Sequence, residues 1–180
     1  MASPQKTILD LCSGTGAWSA PYREAGYNVI SMDLPNDIRL MEKITIPVHG
    51  ILAGPPCDHL ASSGARWWKN KGEKALLHGL SIVDACLRMV AIYNPIFWVL
   101  ENPVGRLVNF LGTPYMYFNP CDYGDTYTKK TCLWGDFNIP KANPVLPLDG
   151  SKMHLMSSTQ KRERSRTPDG FARAFFKENQ

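Results

Sequence analysis

Three residue groups in this chain could do chemistry together, and each stands where an apolar run ends. Cys57 closes Gly50-Ile51-Leu52-Ala53-Gly54-Pro55-Pro56-Cys57, an apolar strand followed by a rigid Gly-Pro-Pro turn. That turn holds the thiol just outside the strand with little freedom, which suits a nucleophile; a thiolate there needs nearby positive charge or helix-end amides. Glu101 closes Phe97-Trp98-Val99-Leu100-Glu101-Asn102-Pro103, where a carboxylate without a partner is costly to bury. Asp10-Leu11-Cys12-Ser13-Gly14-Thr15-Gly16 opens from a strand into a glycine loop that lets backbone amides approach a ligand. Asp33 lies 17 residues past Gly16, where its carboxylate can accept both ribose hydroxyls of a nucleoside-containing cofactor. Plainer readings exist for each: a buried thiol, a tight turn, a turn cap before Pro35. Cys57-Asp58-His59 offers only two metal ligands and no second cluster has metal spacing, so no metal is expected.

The surrounding pattern positions these groups. Buried strands are predicted over 7–11, 28–32, 50–53 and 96–100, and helices over 17–25 and 73–93. In the longer helix Leu76, Leu80, Val83, Leu87 and Val90 keep a 3–4 spacing on one face. Gly26 and Asn94-Pro95 are the stops. Alternating strands and helices imply an α/β domain with a mostly parallel sheet covered on both faces. Ligands in such sheets bind beyond the carboxyl ends of the strands, where Asp10, Asp33, Cys57 and Glu101 stand. Short strands are expected over 115–119 and 128–134, then a loop-rich segment with Pro140, Pro144 and Pro147. A last helix begins with Thr167 as N-cap and Pro168 at its first position.

Composition narrows the class. The 180 residues suit one domain, and 44% hydrophobic content is ordinary for a globular protein. Five cysteines without a CxxC pair suit a reducing cytoplasm. No signal peptide and no apolar run of membrane-spanning length is read. The formal charge of +4 is concentrated late: from Asp149 onward seven Lys/Arg face four Asp/Glu, a net +3. The strip Lys161-Arg162-Glu163-Arg164-Ser165-Arg166 is either a solvated surface or a contact for nucleic-acid phosphates, with Arg164 and Arg166 as candidates.

The order of these parts resembles that of the DNA cytosine-5 methyltransferases. Residues 10–16 resemble their first motif, Cys57 their nucleophile after a Pro-rich turn, and Glu101-Asn102-Pro103 their Glu-Asn-Val motif. Tyr123-Gly124-Asp125-Thr126-Tyr127-Thr128-Lys129-Lys130-Thr131 resembles Tyr-Gly-x-Pro-Gln-x-Arg-x-Arg, with Lys129 at the first Arg, Tyr127 at the Gln and Thr131 at the second Arg. Departures are Cys12 in place of a small or aromatic residue, and Asp58-His59-Leu60-Ala61-Ser62 where Gln-x-Phe-Ser is usual. Ser62 reaches the serine's place if one residue is inserted.

The resemblance implies a Rossmann-like fold and S-adenosylmethionine as cofactor. It is held by Asp10, Cys12, Ser13, Gly14, Thr15, Gly16 and Trp18. Asp33 and Leu34 take the ribose side, Asp37-Ile38 the adenine, and Gly54 and Pro55 the far wall. Cys57 would add to carbon 6 of cytosine, Glu101 would grip ring nitrogen 3, and Lys129 would contact the base or the thiolate. Pro56, Ser62, Asn102 and Tyr127 would meet the DNA, flipped base included. The helix from Thr167 either closes the cofactor site, as the family's final motif does, or simply packs. Residues 136–166 occupy the place of a large target-recognition domain, which implies a short or loose sequence context unless a partner or a second copy supplies recognition. That economy points to a phage or restriction–modification setting in the cytoplasm. Two other readings remain open: the same chemistry on RNA, a free nucleotide or with a modified donor, and a non-catalytic nucleic-acid-binding module.

Overall fold

A computed structural model describes residues 5–151 and 161–180. It is a mixed α/β fold. In chain order the elements are β1 (Thr7–Leu11), α1 (Ala20–Glu24), β2 (Asn28–Met32), β3 (Gly50–Ala53), α2 (Trp68–Tyr93), β4 (Phe97–Pro103), α3 (Val108–Leu111), β5 (Met116–Phe118), β6 (Thr131–Asp136), α4 (Lys161–Ser165) and α5 (Asp169–Glu178). They build one six-stranded sheet in the order β2-β1-β3-β4-β6-β5, parallel except for β6.

Alternation along each strand divides the core into two layers. Leu9, Leu11, Ile51, Ala53, Leu100 and Trp134 face α2, which presents Val83, Cys86 and Met89. Ile8, Leu52, Val99 and Leu133 face the opposite layer, where α1 and α5 bring Tyr22, Phe171 and Phe175. Phe171 stacks on Phe118 with ring centroids 3.9 Å apart, and the Tyr22 hydroxyl donates to the Asn179 carbonyl at 2.8 Å. The helix from Thr167 is thus a packing helix, and it starts one residue later than expected, with Pro168 as its N-cap.

Other differences have local causes. α2 begins at Trp68 rather than 73, but Gly72 (φ 67°) breaks it, so the regular helix does start at Glu73. The helical stretch Ser62–Tyr93 is long and apolar enough to cross a membrane by length and composition alone, but its buried stripe lies on the sheet, as a core helix of the fold. Residues 137–151 form no helix or strand, and the basic strip contains the short helix α4. Lys152 lies outside the described residues.

Register sets the functional edge. Met32, Leu11, Ala53 and Leu100 share one row across β2, β1, β3 and β4, so Asp33, Cys12, Gly54 and Glu101 fall just past it. Asp10 sits one row back and is only 3% exposed. Its carboxylate accepts from the Ser19 hydroxyl and lies 4.0 Å from Arg23. It therefore ties the strand to the start of α1.

Burial outweighs the help from Ser19 and Arg23, and pushes the Asp10 carboxyl up from 3.8 to about 6. A raised acid favours its protonated form in the fold, so its contribution to stability is whole below 3.8 and is lost as pH climbs to about 6. Two units at about 1.4 kcal/mol each come to roughly 3 kcal/mol. Urea unfolding across this window is expected to show that loss in the wild type and a flatter profile in Asp10→Asn.

Candidate active site

The loop carrying Cys57 is held through its carbonyl groups. After β3 the Gly54 amide donates to Leu11 at 2.9 Å, and the Asn102 side chain donates to the Pro55 carbonyl at 2.9 Å. The amides of Leu60 and Ala61 both donate to the Cys57 carbonyl at 2.9 Å. Ser62 donates to Val104, Arg106 donates to Leu60, and Ala61 bridges Gly105. A side chain at Gly105 would put its Cβ 2.0 Å from the Leu60 carbonyl oxygen, so only glycine permits this approach. The Arg106 Nε donates to His59 at 2.8 Å, and Lys71 Nζ donates to Asp58 at 2.8 Å. Residues 102–106, which directly follow the acid Glu101, therefore grip the loop of the thiol.

Cys57, Glu101 and Lys129 lie within electrostatic reach of one another. Burial raises the Cys57 thiol above its usual range; the Glu101 and Asp58 carboxylates add to that, and the Lys129 ammonium opposes it. Burial likewise raises Glu101, again opposed by Lys129. Lys129 Nζ donates to the Arg164 carbonyl at 3.0 Å, beside a cavity that Glu101, Thr131, Ser165, Thr167 and Pro168 line with it. Burial therefore favours the neutral thiol, and addition to an electrophilic ring requires that a base or the substrate remove the thiol proton.

The second half of the edge is a cradle. Cys12, Gly14 and Gly16 all have positive φ (56°, 54° and 70°), and a Cβ at Gly14 would meet nothing within 4 Å. Cys12 and Ser13 donate to Met32 at 2.7 and 3.3 Å, and Gly16 closes the turn onto Ser13 at 2.8 Å. The Thr15 hydroxyl accepts from the Ala17 amide. Asp33 is half-buried at the end of β2 with no side-chain hydrogen bond among the described residues. Open space over a glycine loop beside an uncommitted carboxylate fits a ribose-bearing cofactor. Arg162 Nη2 reaches the Gly14 carbonyl at 3.4 Å from α4.

Several expected contacts are placed elsewhere. Trp18 is 5% exposed and packs on Phe171 and Phe175, so its ring is core and not a cofactor wall. Asp37 caps the 3-10 turn Ile38–Leu40 and chelates Arg39 Nε at 2.9 and 3.0 Å, which lowers its pKa to about 2. Ile38 is buried beneath it, so an adenine amine would compete with an existing ion pair. Leu34 is 81% exposed. Asn102 is fully buried and committed to Pro55, which makes it a holder of the loop. Pro56 and Ser62 are exposed, Tyr127 is half-buried, and Arg166 pairs with Asp169 at 2.8 Å. The sequence reading overlooked Gly105 and Arg106, and also Arg66-Trp67-Trp68-Lys69, whose basic and aromatic mixture was a visible signal.

Signs follow for the thiol. Iodoacetamide labelling of Cys57, followed by peptide mass mapping against pH, is expected to have its midpoint above 9.0, the ordinary thiol value. Glu101→Gln removes a negative neighbour and is expected to lower that midpoint. Lys129→Gln removes a positive one and is expected to raise it.

No protein-family model matches the chain. Over 124 residues it is 32% identical to the type II methyltransferase M.DdeI of Desulfomicrobium norvegicum, covering 56% of this chain and 28% of that one. The chain thus spans less than a third of the length of the curated relative it matches. Among solved structures, an E. coli prophage-encoded protein described as a DNA modification methyltransferase overlays with a TM-score of 0.50 at 19% identity, over 79% of this chain and 53% of that one. The Entamoeba histolytica methyltransferase EhMeth overlays with a TM-score of 0.45 at 14% identity, over 80% of this chain and 57% of that one. The prophage-encoded match establishes the fold, a mostly parallel sheet with helices on both faces, as in Rossmann-like methyltransferases.

Proposed function

We propose that the protein is an S-adenosylmethionine-dependent methyltransferase that modifies carbon 5 of cytosine in DNA. The observation that carries this reading is the meeting of Cys57, Glu101 and Lys129 on the strand edge that also bears the glycine cradle. Similarity to M.DdeI supports it. An amino-directed enzyme would need a polar residue to hold the exocyclic amine where this chain has a thiol.

The cofactor, when bound, supplies an electrophilic methyl group. Residues 12–16 and Asp33 would hold it. Cys57 would give up its thiol proton to solvent water, and the sulfur would then bond to carbon 6 while the carbon 5–carbon 6 π pair moves onto carbon 5 and makes it nucleophilic. Burial favours the protonated form of Glu101, and in that form it would donate to ring nitrogen 3 and stabilise the charge that this addition develops. Lys129 opposes build-up of negative charge between sulfur and carboxylate. After transfer, the carbon-5 proton would pass to solvent water, its bonding pair would re-form the carbon 5–carbon 6 double bond, and the sulfur would leave as a thiolate that solvent reprotonates. Duplex DNA must present the base flipped out of the stack.

DNA containing 5-fluorocytosine cannot lose a carbon-5 proton, so incubation with S-adenosylmethionine is expected to leave an adduct on the peptide containing Cys57. Cys57→Ala is expected to abolish the adduct and keep cofactor affinity near wild type by calorimetry. Asp33→Ala is expected to weaken cofactor binding by about 1–3 kcal/mol. An adduct on Cys12 or Cys86, or no adduct with cofactor and DNA both bound, overturns the reading.

A further inference from the structure

The guanidinium that holds the Cys57 loop has a second side. Arg106 spends Nε on the His59 carbonyl, and its Nη2 is enclosed with no hydrogen-bond partner. The guanidinium lies over the Trp68 ring at 4.6 Å, and the Trp68 indole Nε1 is likewise enclosed and unpartnered. Both residues line one cleft of about 320 Å³ with Lys69, Gly72, Glu73 and Leu76. Burial lowers the Arg106 pKa, and no carboxylate pairs with it among the described residues. The flanking segment is basic: Arg66, Lys69, Lys71 and Lys74 stand against Glu73 alone over residues 66–74. Exposed Trp67 carries Arg66 over its ring at 5.3 Å. Two unmet N–H donors, a cation without a counter-ion and a basic rim call for an oxyanion, and an aromatic platform beside them suits nucleotides.

We propose that this cleft is a phosphate subsite for the sugar–phosphate backbone of the substrate, and that Arg106 links its occupation to the placement of Cys57. The proposal rests on the reading of the protein as a DNA-modifying enzyme. A phosphate oxygen takes the free donors and Lys69, and draws the guanidinium toward the cleft. Nε stays on His59, two residues past the thiol, so the same side chain steadies the loop when the strand is engaged. Lys69 binds only; Arg106 binds and positions.

Affinity for a short DNA duplex, measured against salt, separates these roles. Removal of one phosphate-neutralising cation is expected to reduce the slope of log affinity on log salt by about 0.9, so Lys69→Gln and Arg106→Gln should both flatten it. Trp68→Phe keeps the stacked ring, loses the N–H, and should weaken binding roughly two- to tenfold with the slope unchanged. Trapping of 5-fluorocytosine is then timed at saturating DNA, so that weaker binding does not enter the rate. Arg106→Lys keeps the charge but lacks the planar fork, and should hold the slope while slowing trapping on the order of tenfold or more. Thermal melting identifies any variant that fails to fold, and exposed Lys69 provides the variant least exposed to that problem.

Wild-type slopes in Lys69→Gln and Arg106→Gln overturn the phosphate subsite, and wild-type trapping in Arg106→Lys overturns the link. If the wild-type protein binds no DNA, the proposed function falls instead. The cleft is then decided by the Trp68 indole ¹⁵N–¹H signal, identified by its loss in Trp68→Phe, during titration with inorganic phosphate. A specific shift upholds an anion site; no shift overturns it.

Discussion

The hydrogen bond from Asn102 to the Pro55 carbonyl is the constraint on which the candidate site turns. Successive residues of a strand point to opposite faces, so Glu101 and Asn102 cannot serve the same layer. Glu101 lies on the α5 side, in the row it shares with Leu133, and Asn102 is free to reach across to the neighbouring loop. One strand end therefore places an acid and fixes the turn that carries the thiol. Gly105 and Arg106 extend the grip over the next carbonyls, and the close approach at Gly105 leaves the loop no room to lift without breaking several bonds together. A loop fastened at so many carbonyls has little conformational freedom left to lose, which is the preorganisation a nucleophile needs.

The same burial sets the charge state. Asp10, Cys57 and Glu101 are all raised chiefly because low-dielectric surroundings penalise their ionised forms. Two anions side by side on the strand edge would be costlier still, and Lys129 is the cation that moderates both. At rest the thiol keeps its proton. Glu101 and Asp58 raise the thiol together with burial, so neutralising Glu101 takes away one of the charges that hold the thiolate back.

The first four strands were legible because each is a short, largely apolar segment followed by a glycine loop, an Asp or a Pro turn, and the groups at their ends follow from the parallel order. The reversed β6 between β4 and β5 is a long-range pairing, and no local pattern encodes it. Trp18 was misplaced because it adjoins the glycine loop; its true partners, Phe171 and Phe175, lie about 150 residues on, and their spacing along α5 announced an aromatic stripe in need of a cover. Asp37 was assigned to the adenine through resemblance alone, and Arg39 two residues away was the local sign of the capped, paired turn that forms there. Arg106 was overlooked because an arginine after a Gly carries no chemical signature until the fold brings His59 and Trp68 to it.

The end of the described chain belongs to both halves of the site. α5 packs beneath Trp18 and so supports the helix that follows the glycine cradle, and the Tyr22 hydroxyl and the Asn138 backbone fasten residue 179 in place. Just ahead of it, Arg164 receives Lys129, Arg162 reaches Gly14, and Pro168 walls the Glu101 cavity. The exposed contacts in this group are weak singly, since solvent screens them. The aromatic packing behind them is not screened. Lys129 and Arg162 thus tie α4 to the Glu101 cavity on one side and to the glycine loop on the other, and the aromatic layer under α5 anchors the segment behind them.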